Sequence, residues 1–118
     1  MQFDRYSIAL LIKADAAPEL DDDEAARLQD AHMSHLADLH GDGALVATGP
    51  LLGERLRGLS IFDADSERAR ELAEQDPAVQ AGVYSVEVIA WMIPGGAMTF
   101  SPTRFPRSMA EVGGWGSS

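Results

Sequence analysis

The chain has 118 residues, 46% of them apolar, which is enough for one domain with a modest hydrophobic core. With 19 acidic against 9 basic residues its net charge is −10, which argues against nucleic acid and anionic membrane surfaces as partners. The absence of cysteine excludes disulfides, thiolate metal sites and cysteine nucleophiles, and no apolar run approaches the roughly 20 residues that span a bilayer.

The first predicted element is a strand in the interior of a sheet. The residues before it do not resemble a signal peptide, because Asp4 is charged and an apolar core is missing. We therefore expect a cytoplasmic location. Residues 6–12 are mostly apolar at both odd and even positions, as in a strand that is covered on both faces.

A long helix is predicted to begin near Asp21 and to end near Gly41 or Gly43, since glycine favours helix ends. Asp21 and Glu24 have the spacing of a capping box, which satisfies the first free backbone N–H groups of a helix. The positions that recur at helical spacing, and are therefore predicted to face inward, are Ala25, Leu28, Leu36 and Leu39.

Two short strands joined by a turn are predicted next. Residues 45–48 form the first strand, which Gly49-Pro50 ends, and residues 58–62 form the second. The segment 51–57 contains Gly53 and is predicted to be the hairpin loop between them.

The last two predicted elements are a helix and a strand. Ser66 is predicted to cap a helix over residues 67–75, which Asp76-Pro77 ends because the residue before proline disfavours helical geometry. Residues 83–91 alternate in polarity, which predicts a strand. One face is predicted to carry Tyr84, Val86, Val88 and Ala90, and the other Ser85, Glu87, Ile89 and Trp91.

The resulting order, β-α-β-β-α-β, is that of a ferredoxin-like unit of the α+β class. Two helices can cover only one face of a four-stranded sheet, and the other face of this sheet also carries apolar residues. Such a surface is usually buried against another molecule. A homodimer packed sheet to sheet is therefore predicted.

The domain boundary is placed at residue 93, so that residues 1–93 form the folded unit and residues 94–118 form an extension. The extension is rich in Gly and Pro and has little periodicity. It also carries Phe100, Phe105 and Trp115, which are uncommon in pure linkers. These aromatic residues predict that the extension orders against a surface, with the partner subunit as one candidate.

His32 lies at the centre of the apolar face of the first helix. Histidine is the most frequent general base in enzymes, but a lone histidine on such a face is more often a satisfied core residue. His35, at the edge of the same face, is predicted to pack or to line a pocket, and His40 to stabilise the end of the helix. Because His32 and His35 lack a third ligand, no metal site is predicted, and because no motif such as GxGxxG is present, no cofactor is predicted either.

Asp76 is the candidate partner of His32. In a ferredoxin-like unit both helices lie on one face of the sheet, so a carboxylate at the end of the second can approach the middle of the first. An aspartate that binds one imidazole nitrogen leaves the other nitrogen available as a base. The alternative is that Asp76-Pro77 only ends a helix. Gly49, Pro50 and Ser60 are candidate substrate contacts, although each also fits a turn or packing role.

Several of these segments together resemble the YCII-related family over about residues 5–93. The residues that carry the resemblance, in order and spacing, are Ala31-His32, Leu36, Leu39, Gly43-Ala44-Leu45, Thr48-Gly49-Pro50-Leu51, Gly58, Asp76-Pro77 and Ala81-Gly82-Val83-Tyr84. The resemblance implies a dimeric α+β barrel of two ferredoxin-like units, similar in fold to muconolactone isomerases. It also implies a His–Asp pair in a pocket, which falls on His32 and Asp76. The family comprises enzymes of mostly unassigned reaction, and one branch removes chloride from hydroxylated aromatic rings.

Two functional hypotheses follow. The first is a cofactor-independent enzyme in which His32, oriented by Asp76, performs general acid–base chemistry on a small cyclic or enol-type metabolite by isomerisation, dehydration or dehydrohalogenation. The second is a binding or accessory protein that holds a small molecule in the same pocket without converting it. The absence of a visible second acid or nucleophile leaves the second hypothesis open.

Overall fold

The structure is a computed structural model that describes residues 1–112, so the predicted contact of Trp115 lies outside the described residues. The strands are β1 (Phe3–Lys13), β2 (Leu45–Pro50), β3 (Leu56–Phe62) and β4 (Tyr84–Pro94). The helices are α1 (Asp22–Gly41), α2 (Ser66–Glu74) and α3 (Pro77–Gln80), and Met109–Val112 form a short 3-10 turn. The predicted α+β class and ferredoxin-like order are confirmed, with α3 as an addition.

The strands form one four-stranded antiparallel sheet in the order β2-β3-β1-β4. β1 is central, as predicted, and pairs with β4 without interruption from Phe3–Pro94 to Lys13–Tyr84. β2 continues to Pro50 and is not ended by Gly49-Pro50 as predicted. Proline is tolerated there because β2 is an edge strand, where a missing backbone N–H disrupts few ladder hydrogen bonds.

The capping box at the start of α1 is confirmed. The Glu24 N–H donates to Asp21 Oδ1 at 2.8 Å, and this bond lowers the pKa of Asp21 because it favours the charged carboxylate. The cap therefore stabilises the fold at neutral pH, and its contribution is lost as the pH falls through that lowered pKa. The inward position predicted for Ala25 is wrong: it is exposed, because the C-terminal part of α1, with buried Ala37 and Leu39, is the part that packs on the core.

The region between α2 and β4 differs most from the prediction. Asp65 caps α2 by accepting from the Arg68 N–H at 2.8 Å, so Ser66 is the first helical residue and not the cap. Asp76 does end α2, but it also caps α3, in which Pro77 occupies the first turn. Proline is well suited to that position because its fixed φ is helical and the N–H that it lacks would have no helical partner.

The hydrophobic core lies between the helices and one face of the sheet. Phe62 and Leu45 are almost fully buried there, against Ala9 of β1 and Leu72 of α2. Ser7 also faces this side, where its hydroxyl donates to the Ala64 carbonyl at 2.8 Å. No helix within residues 1–112 combines the length and the apolar character that crossing a membrane requires.

The opposite face of the sheet, here called the open face, is mostly apolar. Its aliphatic residues on β1, β3 and β4 are Ile8, Leu10, Ile12, Leu59, Ile61 and Ile89, and Glu87 of β4 lies on it beside Leu10. Within residues 1–112 no helix packs on this face. Ile89 retains 46% of its surface in solvent, which is high for an isoleucine in a paired strand.

The described part of the extension runs from the open face to the outer side of α1. Phe100 contacts Tyr6 edge to face at a centroid distance of 5.8 Å, at one end of the open face. Phe105 then stacks on His40 at 3.8 Å, and Arg107 pairs with Asp38 at 2.8 Å. His40 also faces two carbonyl oxygens, Nδ1 that of Leu45 at 2.8 Å and Nε2 that of Thr103 at 3.1 Å. These contacts order the extension against its own chain.

Candidate active site

The structure brings His32 and Asp76 together. His32 lies in the middle of α1, and its Nδ1 is 2.5 Å from Asp76 Oδ2. Asp76 is 2% exposed, and the side chain of His32 is 13% exposed. The contact is therefore a mostly buried ion pair or hydrogen bond, shielded from the competing water that weakens surface pairs.

The Asp76 carboxylate is held at both oxygens. Oδ1 accepts from the Ala78 N–H at 2.9 Å, which is the cap of α3, and Oδ2 contacts His32. The Asp76 backbone N–H donates to the Ala73 carbonyl at 3.2 Å, at the end of α2. Both helices next to Asp76 thus fix its position, so the imidazole meets a carboxylate with little freedom to turn away.

This arrangement sets the tautomer of His32. An ionised carboxylate only accepts hydrogen bonds, so in the neutral imidazole Nδ1 carries the hydrogen and Nε2 carries the free lone pair. Nε2 has no hydrogen-bond partner among residues 1–112, and no buried polar side-chain atom in that range lacks one. Nε2 must therefore contact solvent. The Tyr84 ring lies beside the imidazole at a centroid distance of 6.4 Å.

A small cavity lies on the core side of Asp76, and its polar lining comes from His35, Ser60 and Asp76. Its volume is about 10 Å³, which is room for about one water molecule. Pockets for small organic ligands are usually 300–1,000 Å³. A ring-sized molecule can therefore reach the imidazole only from the solvent side, where Nε2 lies.

A larger open groove of about 350 Å³ lies along the first half of α1. Its walls are formed by Leu20, Glu24, Arg27, Leu28, Ala31 and Ala81. Leu28 is one helical turn before His32, so the groove lies on the same side of α1 as His32, which is not itself one of its walls. Its size and mostly apolar walls suit a small ring.

The other predicted site residues occupy different places. His35 Nε2 is 3.0 Å from the Leu72 carbonyl oxygen, and the Ser60 hydroxyl is 2.8 Å from that of Thr48. Gly49 and Pro50 are exposed at the end of edge strand β2 and line neither the cavity nor the groove. The structure thus groups His35 and Ser60 with Asp76 and leaves Gly49-Pro50 apart.

Three participants were missed in the sequence: the Ala78 N–H, the Leu72 carbonyl and Tyr84. The first had a visible signal, because Asp followed by Pro is a combination that begins helices as well as ending them. The Leu72 carbonyl has none, since a backbone carbonyl carries no sequence signature. Tyr84 is among the residues that carry the family resemblance, but no role in the site was assigned to it. Within residues 1–112 no three His, Cys, Asp or Glu side chains converge as metal ligands would.

The chain matches one sequence family and several solved structures. The sequence profile of the YCII-related domain matches residues 7–92. Among solved structures, the 5-chloro-2-hydroxyhydroquinone dehydrochlorinase of Burkholderia phenoliruptrix, in complex with 2,5-dihydroxybenzoquinone, superposes with a TM-score of 0.53. The two sequences are 21% identical, and the match covers 73% of this chain and 92% of the other. No functionally curated protein matches the chain.

Proposed function

The chain belongs to the YCII-related family, and from that premise we propose that it is a cofactor-independent enzyme in which His32 is the general acid–base. Asp76 orients the imidazole, and the substrate is a small cyclic or enol-type metabolite. The observation that carries this proposal is the asymmetric environment of the ring: Nδ1 faces a buried carboxylate and Nε2 faces solvent. A base of this form needs one fixed nitrogen and one free nitrogen.

The chemistry follows from that geometry. Nε2 accepts a proton from a C–H or O–H group of the substrate, and the positive charge that develops on the ring is stabilised by the Asp76 carboxylate. In a dehydrohalogenation the electrons of the broken C–H bond form the new double bond while the halide leaves with the electrons of the carbon–halogen bond. In an isomerisation the same nitrogen returns the proton to another carbon. General acid–base catalysis of this kind contributes about 10²–10⁴-fold in rate.

The similar solved structure suggests which compounds to test first. That protein is a dehydrochlorinase of a hydroxylated, chlorinated ring, and it binds a dihydroxybenzoquinone. At 21% identity the likeness shows the fold alone. Chlorinated hydroxyhydroquinones and hydroxyquinones nevertheless form a rational first panel, with enol lactones as a second, because a base such as Nε2 of His32 can abstract a proton from each class.

The experiment that tests the proposal is turnover across this panel, followed by halide release and by the ultraviolet spectra of the quinone products. Conversion that disappears in a His32 variant supports the enzyme. A compound that binds stoichiometrically and is recovered unchanged across both panels supports the alternative, a small-molecule binding protein. One observation favours that alternative: within residues 1–112 no second proton donor contacts Nε2 of His32.

We also propose that the molecule is a homodimer joined through the open face and that the extension, residues 94–118, strengthens the dimer. The position of Phe100 against Tyr6, at one end of the open face, supports a role for the extension at its border. The proposed site at His32 and Asp76 then lies on the helix side of each sheet, away from the interface.

Deleting residues 98–118 is expected to raise the dissociation constant of the dimer about tenfold, which corresponds to about 1.4 kcal/mol. The deletion removes Phe100 from the border of the open face but keeps the bond from the Gly96 N–H to Asp4, so β4 remains anchored. Sedimentation velocity over a dilution series measures the constant. Arg107→Ala, which removes an exposed ion pair with Asp38 of α1 and leaves Phe100 in place, is the matched control. A deletion variant that dimerises as tightly as the full chain contradicts the proposal.

A further inference from the structure

We infer that His35 is a positioning residue for His32, acting through the end of α2, rather than a residue that contacts substrate. The inference rests on the proposed role of His32 as the base and extends it to a second histidine. His35 lies three residues after His32, almost one helical turn along α1, so both imidazoles project toward the same side. They contact consecutive parts of the segment that carries Asp76.

The first step concerns the contact of His35 itself. Its Nε2 lies 3.0 Å from the Leu72 carbonyl oxygen. A carbonyl only accepts, so His35 donates and its Nε2 carries the hydrogen. Leu72 is 6% exposed and lies in the last turn of α2, where carbonyl groups lack regular helical partners. The Leu72 carbonyl has one other donor, the Gln75 N–H, at a long distance of 3.3 Å. The imidazole of His35 therefore supplies the shorter of its two hydrogen bonds.

The second step concerns what the contact holds in place. Leu72 precedes Asp76 by one helical turn, and the Asp76 N–H is bonded to the Ala73 carbonyl at 3.2 Å. The backbones of α1 and α2 approach each other at few points, and Leu39 of α1 packs with Leu72 and Ala73 of α2 in the apolar core. The bond from His35 to Leu72 adds a directional polar link to this packing. It fixes the end of α2 relative to α1, and with it the position of the carboxylate that meets His32.

The third step excludes direct contact with a ring substrate in this geometry. His35 borders the cavity of about 10 Å³ behind Asp76, which has room for about one water molecule. The exposed nitrogen of His32 lies on the other side of the pair. A side chain that is tethered to a backbone carbonyl and borders so small a cavity can affect the reaction only through the residues that it holds.

The geometry makes a spectroscopic prediction that does not depend on any substrate. Two-bond 15N–1H couplings distinguish the Nδ1–H from the Nε2–H tautomer of each histidine. At about pH 9, where imidazoles are generally neutral, His32 is expected as Nδ1–H and His35 as Nε2–H. A wild-type spectrum that shows His35 as Nδ1–H overturns the inference, and this test needs no variant.

Two substitutions at His35 complete the test. His35→Leu removes the donor at similar volume, and the Nδ1–H signal of His32 is expected to become a mixture of tautomers. His35→Gln keeps an amide donor that can reach Leu72 and is expected to restore the wild-type signal. His40→Leu, on the same helix but away from Asp76, is the matched control. An unchanged His32 signal in a folded His35→Leu protein overturns the inference, because a merely structural role lowers thermal stability without changing that tautomer.

Once a substrate is known, kcat of His35→Leu is expected to fall about 10- to 100-fold with little change in KM, because a small misplacement of the base slows the chemical step more than it weakens binding. A fall confined to KM indicates direct substrate contact and overturns the positioning role. The experiments distinguish a failure of His32 as the base from a failure of His35 as its positioning residue. If His32 variants retain full turnover, the base assignment fails while the tautomer coupling can still be measured.

Discussion

His32→Gln is expected to lower turnover by about 10²–10⁴-fold while leaving the fold and the assembly intact. Glutamine is close to histidine in length, and its amide can still donate a hydrogen bond to Asp76, so the buried carboxylate keeps a partner. The amide nitrogen has no basic lone pair, so it cannot take a proton from the substrate. The loss corresponds to the usual contribution of general acid–base catalysis.

The measurement is kcat and KM on the first panel compound that the wild-type protein converts, with circular dichroism and light scattering as checks on fold and assembly. His40→Gln is the matched control, because His40 lies on the same helix but contacts the Leu45 carbonyl and the extension, and not the site. Its turnover is expected to equal that of the wild type. If His32→Gln converts the same substrate at the wild-type rate, His32 is not the base.

A second substitution, Asp76→Asn, removes the charge beside His32 and keeps the helix cap. Asp76 binds the Ala78 N–H through Oδ1 and His32 through Oδ2. Asparagine retains the oxygen that caps α3, but its amide can place an N–H toward the ring and so favour the tautomer with hydrogen on Nε2. The Asp76 side chain thus has two roles: one oxygen caps α3, and the other determines the tautomer of the His32 imidazole.

Much of this site was predictable from sequence because each part has a local physical signature. Asp21 and Glu24 satisfy N–H groups three residues apart, and this spacing is visible in any sequence. The element order allowed His32 and Asp76 to meet, since a ferredoxin-like unit brings both helices to one face of the sheet, and the family resemblance favoured the pair. The local structure around Asp76 differed from the prediction, because Asp76 contacts the imidazole while it caps the additional helix α3.

The features that the sequence did not reveal depend on a choice between neighbouring residues for one role, or on contacts between residues far apart in sequence. A helix of four residues, such as Pro77–Gln80, has too few positions to show periodicity. Asp65 and Ser66 are adjacent and both are good caps, so the choice of Asp65 is decided by backbone geometry. The path of the extension along α1 is set by contacts such as Phe105 on His40, between residues far apart in sequence. The size of the cavity behind Asp76 depends on side-chain packing from several elements.

The open face leads to the second large effect. Ile8→Asp is expected to convert the dimer into monomers, with a dissociation constant at least about 10³-fold higher. Ile8 pairs with Ile61 on one side and Ile89 on the other, so it lies near the centre of the apolar surface. A carboxylate buried there without a partner costs several kcal/mol. A two-fold symmetric interface contains the substituted residue twice, once from each subunit.

In the separated subunit the same carboxylate faces water, so the fold should tolerate it, and circular dichroism is expected to be unchanged. Light scattering across a concentration series gives the mass of each species. Gln29→Asp adds the same charge at an exposed position of α1 and is the matched control, with dimerisation expected at the wild-type level. Two results contradict the proposed interface: a wild-type protein with monomer mass at tens of micromolar, and an Ile8→Asp protein that remains dimeric. The open face is the described surface with the most half-buried aliphatic side chains, so it is the surface that a dimer is expected to use.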